Sequence, residues 1–77
     1  SQLMDIADYY NKGWKPDWNN KHNPKFYISF DTESSFYEVR CGYVVSCHIA
    51  YFKNRKDAQA VIDNPNFREI LDKIYEN

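Results

Sequence analysis

Lys25-Phe26-Tyr27-Ile28-Ser29-Phe30-Asp31 alternates apolar and polar side chains at period two. Successive residues of a strand point to opposite faces. Phe26, Ile28 and Phe30 therefore share one face, and Tyr27, Ser29 and Asp31 share the other. The spacing predicts a strand with a core side and a wet side. Phe36 to Tyr43 repeats the pattern, with Tyr37, Val39 and Cys41 toward the core and Glu38 and Arg40 toward water. Between them, Thr32-Glu33-Ser34-Ser35 reads as a hairpin loop without a glycine to set its type. Gly42 is expected at a bulge. A third antiparallel strand is expected over His48-Ile49-Ala50-Tyr51-Phe52, which requires a turn near residues 45–47.

Helical patterns flank these strands. Leu3, Ile6 and Tyr10 follow helical spacing with Ala7 beside them, so residues 3–11 are read as a short helix that Gly13 terminates. Pro16 biases Lys15 toward extended backbone, and the polar run from Asn19 to Pro24 reads as a loop. Asn54 is placed to cap a helix, with Asp57 three residues on. Ala58, Val61 and Ile62 form its apolar face. Asn64-Pro65 starts a further helix, in which Phe67, Ile70, Leu71, Ile74 and Tyr75 make a full amphipathic stripe. The expected fold is α+β in the order α-β-β-β-α-α. It comprises a three-stranded antiparallel sheet with helices packed on one face.

The 77 residues suffice for one domain. The first residues are Ser1-Gln2 rather than Met, which suggests excision from a longer protein. Hydrophobic residues make up 43% and charged residues 27%, a globular balance. The net charge of -1 argues against a strongly basic nucleic-acid binder. No apolar run is long enough to span a membrane. Aromatic residues reach 18%, from seven Tyr, five Phe and two Trp. Rings of this size anchor small cores, but so many cannot all be interior, and some are expected to form a binding patch.

Charge is segregated along the chain. Lys12, Lys15, Lys21 and Lys25 face only Asp17 in their stretch, and Lys53, Arg55 and Lys56 form a second basic cluster. A solvated surface of mixed sign is one reading of this, and a local basic patch is the other. Trp14-Lys15-Pro16-Asp17-Trp18 is the best binding candidate. Trp14 is expected in a lid over the fold, and Trp18, beside the polar loop, is expected to be partly exposed, since exposed Trp, Tyr and Arg commonly anchor interfaces.

Chemistry-bearing motifs are sparse. Cys41, Cys47 and His48, with His22 far away, do not reproduce the paired short spacings of a structural zinc site. A Cys41–Cys47 disulfide across a hairpin is an alternative, and two buried thiols acting as small hydrophobes is the favoured reading. Cys47 and His48 are neighbours on an expected strand and point to opposite faces, which suits a nucleophile–base pair poorly. Gly13 and Gly42 are the only glycines, which excludes a glycine-rich phosphate loop and a Gly-x-Ser-x-Gly elbow.

Two segments together resemble a known group. They are Ala7-Asp8-Tyr9-Tyr10-Asn11-Lys12-Gly13-Trp14-Lys15-Pro16-Asp17-Trp18 and Ala50-Tyr51-Phe52-Lys53-Asn54-Arg55-Lys56-Asp57-Ala58-Gln59-Ala60-Val61-Ile62 with the closing helix. They resemble a small, uncharacterised C-terminal domain of phage and prophage proteins from low-GC Gram-positive bacteria such as streptococci and lactobacilli. The resemblance implies a phage accessory protein in the cytoplasm of the infected host, of which an anti-defence, anti-CRISPR-like inhibitor is one form. It carries no catalytic residues.

The expected function is therefore a non-enzymatic module that binds a host or phage protein, with no cofactor, small-molecule substrate or membrane. The alternative is a single-stranded nucleic-acid binder, in which rings on a sheet stack bases beside basic residues. The expected partner-binding residues are Trp18, Lys21, Lys25 and Tyr27, with Lys53, Arg55 and Lys56 as a second half. The strand order leaves open whether the halves meet. Should partner binding survive substitution of these residues, the exposed acidic side of the closing helix around Glu69, Asp72 and Glu76 is the next surface.

Overall fold

A computed structural model describes residues 1–43 and 48–76. The fold is α+β: α1 (Gln2–Asn11), β1 (Lys25–Asp31), β2 (Phe36–Gly42), α2 (Arg55–Asp63), a 3-10 turn over Pro65–Phe67, and α3 (Arg68–Tyr75). Ser1 caps α1 by accepting a hydrogen bond from the Met4 amide at 3.2 Å. The helix ends where Lys12 adopts a left-handed conformation (φ 51°), with Gly13 following at φ 93°. Two consecutive positive φ values reverse the chain, and only the second falls on a residue without a Cβ.

β1 and β2 pair antiparallel without interruption, from Lys25 opposite Gly42 to Asp31 opposite Phe36. Gly42 therefore lies in register rather than at a bulge. The hairpin needs no glycine because the Asp31 carboxylate accepts from the Glu33 amide at 3.0 Å and Ser35 takes the left-handed turn position.

Among the described residues the sheet has two strands rather than the expected three. Of the expected third strand only Phe52 pairs, exchanging both backbone hydrogen bonds with Phe26 at 3.0 and 2.8 Å. Past Phe52 the same register would set Asn54 opposite Pro24, which has no N–H to donate, so the pairing cannot run on toward α2. The outer edge of the same segment is taken by a side chain. Asn11 donates from Nδ2 to the Tyr51 carbonyl at 2.8 Å and accepts at Oδ1 from the Lys53 amide at 3.0 Å. One carboxamide at the end of α1 thus does the hydrogen bonding that a neighbouring strand would do. The turn expected near 45–47 lies outside the described residues.

The core lies between the helices and one face of the hairpin. Leu3 and Ala7 of α1, Ala58 and Val61 of α2, and Leu71 of α3 close over Ile28, Tyr37 and Phe52. The α3 stripe is carried by Leu71, which is fully buried, with Phe67, Ile74 and Tyr75 packed beside it. Burying one such leucine contributes about 1.5–3 kcal/mol, a large part of a net stability of about 5–15 kcal/mol. Tyr37 ties β2 to α3. Its hydroxyl donates to Asp72 at 2.8 Å, its ring lies 4.7 Å from Phe30 and 5.8 Å from Tyr75, and the Arg68 guanidinium sits 4.6 Å above it.

Cys41 is exposed, although its strand partner Phe26 packs against the core. The helical cover over that end of the sheet is the Arg55 side chain, whose guanidinium lies 5.0 Å over the Phe26 ring and donates to the Val39 carbonyl at 3.3 Å. Cys41 falls beyond it, so the expectation of a buried thiol there is corrected. Cys47, and with it any Cys41–Cys47 pairing, lies outside the described residues.

Candidate functional site

The expected wet face of β1 is covered at its Lys25 end. The Tyr27 ring stacks on His48 at 3.7 Å, and Tyr51 meets Trp18 edge-on at 4.8 Å. Lys25 lies inside this second, smaller cluster and has no exposed surface. Its ammonium donates to the carbonyls of Asn20 (2.6 Å) and Tyr43 (3.3 Å) and sits 5.2 Å from the Trp18 ring centre. Carbonyl dipoles and a ring face stabilise the cation where no carboxylate reaches it.

One expected surface residue is corrected by this arrangement: Lys25 is interior and pins the 14–24 loop to the hairpin. Trp18 is partly exposed, as expected, Tyr27 is half-buried, and both rings also make internal contacts. The physical reason is that the polar loop, being tied to Lys25, folds back over a face that alternation alone assigns to water.

Of the remaining expected residues, Lys53 and Lys56 share a cleft, Lys21 lines a different hollow in the 17–22 loop, and Arg55 is turned onto Phe26. The cleft has a volume of about 680 Å³. Its walls are Tyr9, Tyr10, Lys12 and Trp14 from the end of α1, and Lys53 and Lys56 from the start of α2. The two basic clusters therefore meet, through Lys12 rather than through Lys21 or Lys25. Asn11 brings them together, because its amide fastens the end of α1 to the backbone of Tyr51 and Lys53.

The electrostatics of the cleft are one-sided. Elsewhere four exposed cations are paired, Lys15 with Asp8, Arg40 with Glu38, Arg68 with Asp72, and Lys73 with Glu69, while Lys21 and Arg55, also exposed, stand in none of these ion pairs. Among the described residues, none of Lys12, Lys53 and Lys56 has a carboxylate within ion-pair distance. The cleft's one acid, Asp57, accepts a hydrogen bond from the Asn54 side chain at 3.2 Å. That contact replaces the expected cap, since the Asn54 side chain makes no capping bond to α2. Three uncompensated ammonium groups thus border two tyrosines and an indole. Tyr9 is 77% exposed and meets Tyr10 edge-on at 5.4 Å.

This arrangement is suited to binding an anion and covering an apolar group. The lining contains no His, Cys or Ser. Among the described residues no three His, Cys, Asp or Glu side chains are grouped to hold a metal ion, and no helix is long and apolar enough to cross a membrane.

Sequence reasoning missed Tyr9, Tyr10 and Trp14 as lining residues and counted Lys12 only as part of a charge run. Every lining residue of the cleft falls within 9–14 or 53–57, two short stretches that only the fold brings together. Compared with protein-family models, curated proteins and solved structures, the chain matches none.

Proposed function

We propose that this chain is a non-enzymatic interaction module that holds an acidic segment of a partner protein in the Lys12–Lys53–Lys56 cleft. The observation that carries the reading is the concentration of cations without ion-pair partners at one concave, ring-lined place on a chain whose net charge is -1. Local positive potential of this kind accelerates encounter with an acidic surface, and buried rings then slow dissociation. The resemblance of residues 7–18 and 50–62 to a phage domain puts the partner among host or phage proteins, with inhibition of a host defence system as one outcome of binding.

A second reading is favoured by one observation, the 77% exposure of the Tyr9 ring beside the lysines. An open ring next to ammonium groups is the arrangement on which single-stranded nucleic acid stacks.

Titration with hexaglutamate and, separately, with a deoxythymidine decamer separates the two, read by tryptophan fluorescence at several salt concentrations. The first reading expects saturable hexaglutamate binding that Lys53→Glu/Lys56→Glu abolishes. Tighter binding of the decamer, with a log–log salt slope of about -2 for three phosphate contacts to a single strand, would favour the second.

A further inference from the structure

The basic cleft does not end at Trp14. The same indole, together with Asn11, also lines a hollow of about 210 Å³ whose character is apolar. Met4, Pro16, Trp18 and Ile49 form its sides. Met4 and Ile49 are 49% and 44% exposed, among the largest apolar groups left in water. The charges at this end cancel, because Lys15 and Asp8, both on its rim, pair with each other at 3.6 Å. One continuous surface therefore changes from apolar and neutral to aromatic and cationic across a single residue.

We infer that the ligand of this protein is a two-part peptide segment: an aliphatic or aromatic side chain seated against Met4, Trp18 and Ile49, joined across Trp14 to carboxylates held by Lys12, Lys53 and Lys56. This rests on the reading of the cleft as an acidic-segment site and names the chemistry of the segment. The apolar half decides between macromolecules. Met4 and Ile49 offer aliphatic contact, which suits a Leu, Ile or Phe side chain. A nucleic acid brings flat bases and phosphates and leaves the aliphatic wall unused. The charge complementarity fixes the other half, since three unpaired ammonium groups match a run of carboxylates rather than a second apolar patch. Trp14 stands at the junction, in position to cover the backbone between the two parts.

The test extends hexaglutamate by a Gly-Leu-Phe-Leu tail, at one end and then at the other, and compares each with hexaglutamate alone. Burying one or two such side chains predicts about tenfold to hundredfold tighter binding for one of the tailed peptides. Met4→Ser or Ile49→Ser, both at exposed positions and without added charge, is expected to remove that gain and leave hexaglutamate binding unchanged. Lys53→Glu/Lys56→Glu is expected to weaken all three peptides, with circular dichroism confirming that each variant is folded. Equal affinity of tailed and plain peptides would overturn the two-part ligand while leaving the acidic-segment reading intact. If no peptide binds, both fall. Concentration-dependent dimerisation that either serine variant abolishes would give the apolar hollow to a second copy of the chain and overturn the inference.

Discussion

The Asn11 side-chain amide donates to the Tyr51 carbonyl at 2.8 Å across 40 positions of sequence. Its oxygen accepts from the Lys53 amide in the same contact. This one residue ends a helix, closes the edge of a strand-like segment and joins the two walls of the basic cleft.

Asn11→Ala leaves the Tyr51 carbonyl and the Lys53 amide without these partners. The Tyr51 contact is buried and the Lys53 contact only part-buried, and losing one buried partner costs about 1–3 kcal/mol, so a fall in unfolding free energy of about that size is expected. Urea unfolding measures it. Asn11→Asp keeps the acceptor and loses the donor, and is expected to fall between the two. A midpoint for Asn11→Ala equal to that of the parent would show that the contact is dispensable.

Lys25→Met tests the second cluster. The methionine retains most of the stem volume but neither the two carbonyl bonds nor the contact with Trp18. A loss of about 1–3 kcal/mol is expected from the orphaned carbonyls, with red-shifted emission from Trp18 measured in a Trp14→Phe background. Unchanged stability and unchanged emission would contradict the pinning role. The gain from removing a buried charge acts in the opposite sense, so the expected loss is modest.

Alkaline pH probes the Tyr37–Asp72 contact. Burial, then the hydrogen bond to Asp72, raises the Tyr37 hydroxyl above its ordinary value, and burial raises Tyr75 in the same direction. The folded state therefore holds these protons more tightly than the unfolded state does. Their contribution to stability is complete below the ordinary tyrosine value of about 10 and is lost as pH rises from there through the folded values. Unfolding free energy measured from pH 9 to 11.5 is expected to fall, and to fall less steeply in Tyr37→Phe. Identical slopes in the two proteins would contradict the assignment.

The hairpin was legible because its alternation is local. Phe26, Ile28 and Phe30 against Tyr27, Ser29 and Asp31 define the faces of β1 without any knowledge of its neighbours. The helices were legible for the same reason, through the spacing of Leu3 and Ala7 and of Phe67, Leu71 and Ile74. The third strand was misjudged because its failure depends on pairing. Only Phe52 finds a backbone partner, Phe26, while the neighbouring Tyr51 carbonyl is taken by the Asn11 side chain, and neither contact has a local signature. The site was half legible. Lys53 and Lys56 announced themselves as charges, but their meeting with Lys12 depends on Asn11, a contact with no periodicity or motif to reveal it. Lys25 illustrates the converse. Alternation placed it correctly on the face away from the core, and only the folded loop decides that this face is dry.

The most direct test of the central claim is a map of backbone amide shifts during titration with hexaglutamate. The account predicts that the largest changes cluster at Lys12, Trp14, Lys53 and Lys56, disappear in Lys53→Glu/Lys56→Glu, and spare Lys21 and the 17–22 loop. Changes centred instead on that loop or on the Glu69–Glu76 side of α3, or no changes at all, would contradict it.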